Sequence, residues 1–132
     1  MEIISPEKQL TLFGYKDYFR SFTQLYIKNK MPNIILLSGL KGLGKATFAY
    51  HFINFILSIE EEKTYSTSDL SIDKDNRSYQ LLNMNIHPNF FLLKNNELEK
   101  DIKIDQVRNL LKFLNKSTYR KNQKIVMIDN AE

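Results

Sequence analysis

Apolar residues fall along this chain in two alternating patterns, short unbroken runs and longer stretches repeating every three or four positions. Ser5-Pro6-Glu7 reads as a short helical start, with Ser5 as N-cap and Pro6 at the first helical position. Gly14 breaks the chain before a helix over about 16–28, where Phe19, Phe22, Leu25 and Tyr26 make one apolar face. Lys28-Asn29-Lys30-Met31-Pro32 is a polar connector. Ile34-Ile35-Leu36-Leu37 is continuous and strand-forming, which suits a strand covered on both faces. A glycine-rich loop over 39–44 leads into a helix over about 45–59, with Ala49, Phe52, Ile53, Ile56 and Leu57 on one stripe. Residues 60–77 carry little to bury and are expected to form an exposed, mobile insertion. A short helix over 78–84 and a break at His87-Pro88 precede a second strand, Phe90-Phe91-Leu92-Leu93. After a polar loop over 95–100, Asp105 is placed as N-cap of a helix whose face is Val107, Leu110, Leu111 and Leu114. A turn at 121–123 leads to a third buried strand, Ile125-Val126-Met127-Ile128, ending at Asp129. Strands alternating with helices define an α/β domain.

The loop between the first strand and the helix at 45 carries the chemistry. Gly39-Leu40-Lys41-Gly42-Leu43-Gly44-Lys45-Ala46-Thr47 has the strand–GxxxxGK–helix form of a phosphate-binding P-loop. Glycines at 39, 42 and 44 let the backbone curl its N–H groups around phosphate oxygens. Lys45 supplies a point charge, and the helix adds its positive end. The bland alternative is a glycine-rich turn that binds nothing. One position departs from the pattern. A hydroxyl should follow the lysine to meet Mg²⁺, but Ala46 stands there. Thr47 is one residue on, a rotation of ~100°, so its hydroxyl is expected to point away from the metal. At the other end of the chain Asp129 closes an apolar strand, as a carboxylate that helps hold Mg²⁺ does, or as a helix cap does. The general base expected after it is replaced by Asn130, and Glu132 stands three positions beyond Asp129. The site residues are therefore Gly39, Gly42, Gly44, Lys45, Ala46, Thr47 and Asp129, with no catalytic group and no resident metal.

Composition narrows the classes. The chain has 132 residues, room for one domain, and 42% hydrophobic content marks it as globular. A net charge of +4 favours polyanions such as DNA or nucleotide phosphates only weakly. With zero cysteines, disulfides and thiolate zinc sites are excluded. No apolar run approaches the ~20 residues of a membrane span, and the amino terminus lacks a signal pattern, so a cytoplasmic protein is expected. His51 and His87 read as structural, one on the P-loop helix and one in a turn. Phe48, Tyr50, Phe52 and Phe55 read as core. Lys112, Lys116, Arg120, Lys121 and Lys124 form a solvated face or a weak contact for the DNA backbone.

These motifs, in this order, resemble the clamp-loader delta-prime family of bacterial DNA polymerase III, a branch of the AAA+ ATPases. The resemblance rests on Leu12-Phe13-Gly14, Gly42-Leu43-Gly44-Lys45-Ala46-Thr47-Phe48-Ala49-Tyr50, His87-Pro88-Asn89, Ile104-Asp105-Gln106-Val107-Arg108-Asn109-Leu110-Leu111 and the Asp129 strand. It implies a three-layer P-loop (AAA+) fold with a parallel sheet whose strands lie in the order fifth, first, fourth, third, second. It also implies a non-hydrolysing subunit that helps load the sliding clamp onto primed DNA beside the delta and gamma or tau subunits. ATP or another nucleotide would bind weakly. Many relatives carry a four-cysteine zinc module after the P-loop helix, and residues 59–86 hold no cysteine, so no zinc is expected. The chain ends three residues after Asp129, without counterparts of the family's arginine-finger segment, helical lid and collar. Residues 1–132 are therefore expected to be a partial nucleotide-binding domain. The alternatives are an active motor ATPase of the gamma/tau type and a DNA-binding protein with an incidental P-loop.

Overall fold

The structure, a computed structural model, describes residues 5–31, 44–95, 104–115 and 124–130, the last two positions of each strand by backbone alone. The expected strand at 34–37, Gly39 and Gly42, the turn at 121–123 and Glu132 lie outside the described residues. A short 3-10 helix, Pro6–Lys8, follows Ser5. Then come α1 (Lys16–Ile27), α2 (Lys45–Leu57), α3 (Arg77–Asn83), β1 (Phe90–Asn95), α4 (Ile104–Asn115) and β2 (Ile125–Asn130). The chain forms two compact units, residues 1–80 and 81–132, each with its own packing.

The first unit is built on aromatic rings. Phe19 of α1 is fully buried and sits edge-on to Phe48, Phe52 and Phe55 of α2, at 6.0, 6.2 and 6.3 Å between centroids. Phe22 meets Phe48 and Phe52 at 5.2 and 5.4 Å, and Tyr26 meets Phe55 at 6.0 Å. Residues three and four apart share a helix face, so positions 19, 22 and 26 of α1 mesh with 48, 52 and 55 of α2. Edge-on geometry sets the positive ring edge against the negative face and adds about 0.5–1.5 kcal/mol per pair beyond area burial. Of the aromatic residues read as core, Phe48, Tyr50 and Phe52 are buried and Phe55 is half-buried.

Both α1 and α3 end on an asparagine in the left-handed region. Asn29 has φ 57° and Asn85 has φ 55°. Beyond Asn29, the Lys30 N–H donates to the Leu25 carbonyl at 2.8 Å, while Asn29 itself donates to Tyr26 at 3.0 Å. Beyond Asn85, Ile86 donates to Leu81 at 3.0 Å and Asn85 to Leu82 at 3.1 Å. These paired bonds satisfy the orphaned carbonyls of a helix end, with asparagine in the place glycine usually takes.

Residues 60–77 correct the expectation of an exposed, mobile insertion. Tyr65, Leu70, Ile72 and Asn76 are buried, and Asn76 is fully so. The segment holds few apolar residues, but those few point inward and the polar ones pair among themselves. Asn54 of α2 donates to the Asn76 carboxamide oxygen at 2.9 Å, and Asn76 donates to the Lys63 carbonyl at 2.7 Å. The same Asn76 oxygen accepts the Tyr79 N–H at 2.8 Å, capping α3. Glu61 accepts from the Ser78 N–H and hydroxyl at that helix start, where a carboxylate is favoured. Ser66 and Ser71 pair through both backbone groups and close a turn.

The second unit contains a parallel pair of strands, Phe90 opposite Ile125 through Asn95 opposite Asn130. The pair joins what the sequence reads as second and third strands, neighbours in the expected sheet order, and gives the chain its α/β character. Three details differ from expectation. Asp105 is not an N-cap but lies in the first turn of α4, which begins at Ile104. On the expected face Val107, Leu111 and Leu114 are exposed and Leu110 is half-buried, and Phe113 is the buried residue of the helix. Phe113 lies 5.5 Å from the Phe91 ring, and Lys124 donates to the carbonyls of Phe113 and Leu114 at 2.8 and 2.9 Å. A large ring against β1 and a cation on the last carbonyls seat α4 on its Phe113 side. Lastly, β2 is not buried on both faces, since Ile128 is 63% exposed.

Candidate functional site

The site lies where α2 begins. Gly44 is its N-cap with φ 77°, a left-handed conformation that side chains rarely adopt. Lys45, Ala46 and Thr47 form the first turn after it. Opposite stands the opening segment of the chain. Gln9, Thr11, Leu12, Phe13 and Tyr15 line, with Gly44 and Thr47, a cavity of about 270 Å³. Its wall mixes an amide, hydroxyls and apolar groups, and Phe13 is 72% exposed. Gly14, at φ 86°, turns the chain from this wall into α1. No Cβ clash bars a side chain at Gly14, so only the backbone angle calls for glycine there.

The cavity wall is held from behind. The Leu12 N–H donates to the Leu70 carbonyl at 2.9 Å, and Ile72 donates to Leu10 at 2.8 Å. Thr11 and Ser71 form an isolated antiparallel bridge. The Tyr79 hydroxyl donates to the Lys8 carbonyl at 2.8 Å. His51 of α2 is fully buried behind Gln9, with Nε2 2.9 Å from the Gln9 carbonyl and Nδ1 2.7 Å from the Tyr65 hydroxyl. A carbonyl only accepts, so Nε2 carries the proton, and Nδ1 accepts from Tyr65. His51 is structural, as its place in the sequence suggested. So is His87, whose Nδ1 accepts the Asn89 N–H at 3.1 Å in the turn before β1.

Burial pushes the His51 imidazole below its ordinary value near 6.5, and the bond to Gln9 opposes that shift more weakly. Burial pushes the Tyr65 phenol up. The unfolded chain therefore takes a proton at His51 at a higher pH than the folded chain does. Its contribution to stability is whole above about pH 6.5 and is lost as pH falls toward the lower folded value, by up to about 1.4 kcal/mol per pH unit. Denaturation midpoints followed from about pH 7.5 to 5.5 should fall, and should fall less in His51→Gln. A midpoint flat across that window in the parent protein would overturn this.

Of the residues singled out in the sequence, Gly44, Lys45, Ala46 and Thr47 come together at the mouth of α2, with Thr47 on the cavity. Gly39 and Gly42 lie outside the described residues. Asp129 is placed by its backbone near the end of β2, opposite Lys94. The sequence reading missed the wall of residues 9–15. Its signal is faint, a Leu-Phe-Gly step with one tyrosine beyond it. Among the described residues no helix is long and apolar enough to cross a membrane.

Comparison with known proteins bears on these features. The family model described as DNA polymerase III, delta subunit, matches residues 14–132. The DNA polymerase III subunit delta' of Pseudomonas aeruginosa is 29% identical over 111 residues, covering 84% of this chain. The chain spans about a third of that relative's length, 32%.

Proposed function

The chain belongs to the DNA polymerase III delta subunit family, and from that premise we propose that it acts as a delta-prime-type part of a clamp loader. In this reading it is an AAA+ P-loop domain that assists the ATP-dependent loading of a sliding clamp onto primed DNA. Its partners are delta and gamma or tau subunits, its compartment is the cytoplasm, and its own loop binds nucleotide without hydrolysing it. The observation that carries the reading is the cavity beside Gly44 and Thr47, at the glycine-opened start of α2. A nucleotide fits there on chemical grounds. Its phosphates would lie on the Gly39–Lys45 loop and the helix start, where N–H groups and Lys45 meet negative charge. Its remainder would enter the cavity between Tyr15, Leu12 and the polar groups of Gln9 and Thr11. Ala46 gives Mg²⁺ no hydroxyl, so the metal should add little to affinity. The gamma/tau motor reading is disfavoured by Ala46 and Asn130 together.

Titration calorimetry tests this. Nucleotide should bind weakly, with nearly the same affinity with and without Mg²⁺, and Lys45→Ala should abolish the signal. Absence of binding by the parent protein at about 1 mM nucleotide, where even a ~4 kcal/mol interaction registers, would leave the loop a purely structural turn.

A further inference from the structure

The segment at 8–12 has two duties at once. Gln9, Thr11 and Leu12 line the cavity, while the backbone of the same stretch is bonded to the excursion that runs from Tyr65 to Tyr79. The bonds are Leu12 to Leu70, Ile72 to Leu10 and Tyr79 to Lys8, with Tyr65 reaching Gln9 through the His51 ring. The excursion is itself a linked unit. Asn76, Asn54, Ser58 and the Lys63 carbonyl satisfy one another, so releasing one member leaves others buried without partners. A network linked in this way favours opening as a unit over opening bond by bond. A ligand shifts such an equilibrium by as much as its affinities for the two states differ. One wall of this cavity is backed by the excursion.

We propose that the 65–79 excursion is a brace coupled to the cavity, so that occupation of the cavity tightens the brace and release of the brace empties the cavity. The proposal rests on the nucleotide reading of the same site and adds its regulation. Coupling is reciprocal, so either side can be read.

The experiment uses ADP without Mg²⁺ and inorganic pyrophosphate as probes, with amide exchange at Leu12 and Ile72 as a second readout. Pyrophosphate reaches only the loop and helix start, whereas ADP also enters the cavity. In the parent protein ADP should slow exchange at both amides, and pyrophosphate should not. Tyr65→Phe removes the hydroxyl that His51 accepts and keeps the ring stacked 5.1 Å from Phe19. It should weaken ADP by about fivefold or more and leave pyrophosphate within about twofold. Tyr79→Phe, which loses only the bond to Lys8, should do the same to a smaller degree and serves if Tyr65→Phe does not fold. Equal ADP affinity in the parent and the folded variants overturns the coupling. So does ADP binding that leaves both amides unchanged, or an equal loss for both probes. If the parent binds neither probe, the nucleotide reading falls and the coupling with it. If it binds ADP and the variants bind it equally well, the coupling alone falls.

Discussion

With saturating ATP and Mg²⁺, the protein should release phosphate no faster than the uncatalysed background. On the proposed reading, two groups that P-loop hydrolysis uses are replaced, the metal-binding hydroxyl by Ala46 and the general base by Asn130. An asparagine amide takes no proton from water, and a positioned base alone is worth roughly 10²–10⁴ in rate. The two losses together should put turnover at least about 10⁴-fold below the ~10 s⁻¹ of an ordinary enzyme. Lys45→Ala should then leave the measured rate where it was. A turnover near ~1 s⁻¹ that Lys45→Ala abolishes would sink the non-hydrolysing reading and favour the motor ATPase.

The second large effect is expected far from the loop, at Asn76. Replacing it with alanine strips three groups of their partner at once: the Asn54 amide, the Lys63 carbonyl and the Tyr79 N–H. Asn54 and Asn76 are both fully buried, so water does not take over between them. The Asn54 amide and the Lys63 carbonyl, left without Asn76, cost about 1–3 kcal/mol each, and the Tyr79 N–H, the lost cap on α3, about 1 kcal/mol, giving roughly 3–7 kcal/mol for Asn76→Ala. That is a large share of the ~5–15 kcal/mol of a whole domain. Chemical denaturation should show the midpoint falling sharply, with protease cutting between residues 60 and 77. The nearby Asp75→Ala is the contrast. Its ion pair with Lys63, at 3.8 Å, is solvent-exposed and should scarcely move the midpoint. Equal, small effects of the two substitutions would mean the Asn76 network adds nothing.

Periodicity made α1 and α2 legible, because Phe19, Phe22 and Tyr26 and then Phe48, Phe52 and Phe55 recur at helical spacing and each set needs a partner. Unbroken apolar runs marked β1 and β2. What failed was any inference from polarity to exposure. Residues 60–77 read as solvated because acidic residues and then Ser, Thr, Asp and Lys dominate, yet Asn76 is fully buried and Tyr65 is buried. Asn76 is held by hydrogen bonds, which leave no repeating signature in a sequence. The α4 face was misjudged for a related reason. Helical spacing put Val107, Leu110, Leu111 and Leu114 on the buried face, whereas one Phe113 ring tilted against Phe91, with Lys124 on the last carbonyls, decided the seating. At the site, the glycine–lysine signature located the start of α2 at once. The facing wall stayed hidden, since Gln9 meets Gly44 only through the fold.

That wall also has a history within each molecule's synthesis. Its anchors lie far along the chain: His51 is 42 residues beyond Gln9, and Tyr79 is 71 beyond Lys8. Closing such long loops costs entropy before any contact repays it, which delays these pairings behind local helix formation. A chain leaving the ribosome at roughly 5–20 residues per second completes α1, and then α2, while residues 8–12 still lack their backing. The opening segment must therefore wait, unpaired, for several seconds until the excursion arrives. Residues 8–12 are made before their backing and placed after it.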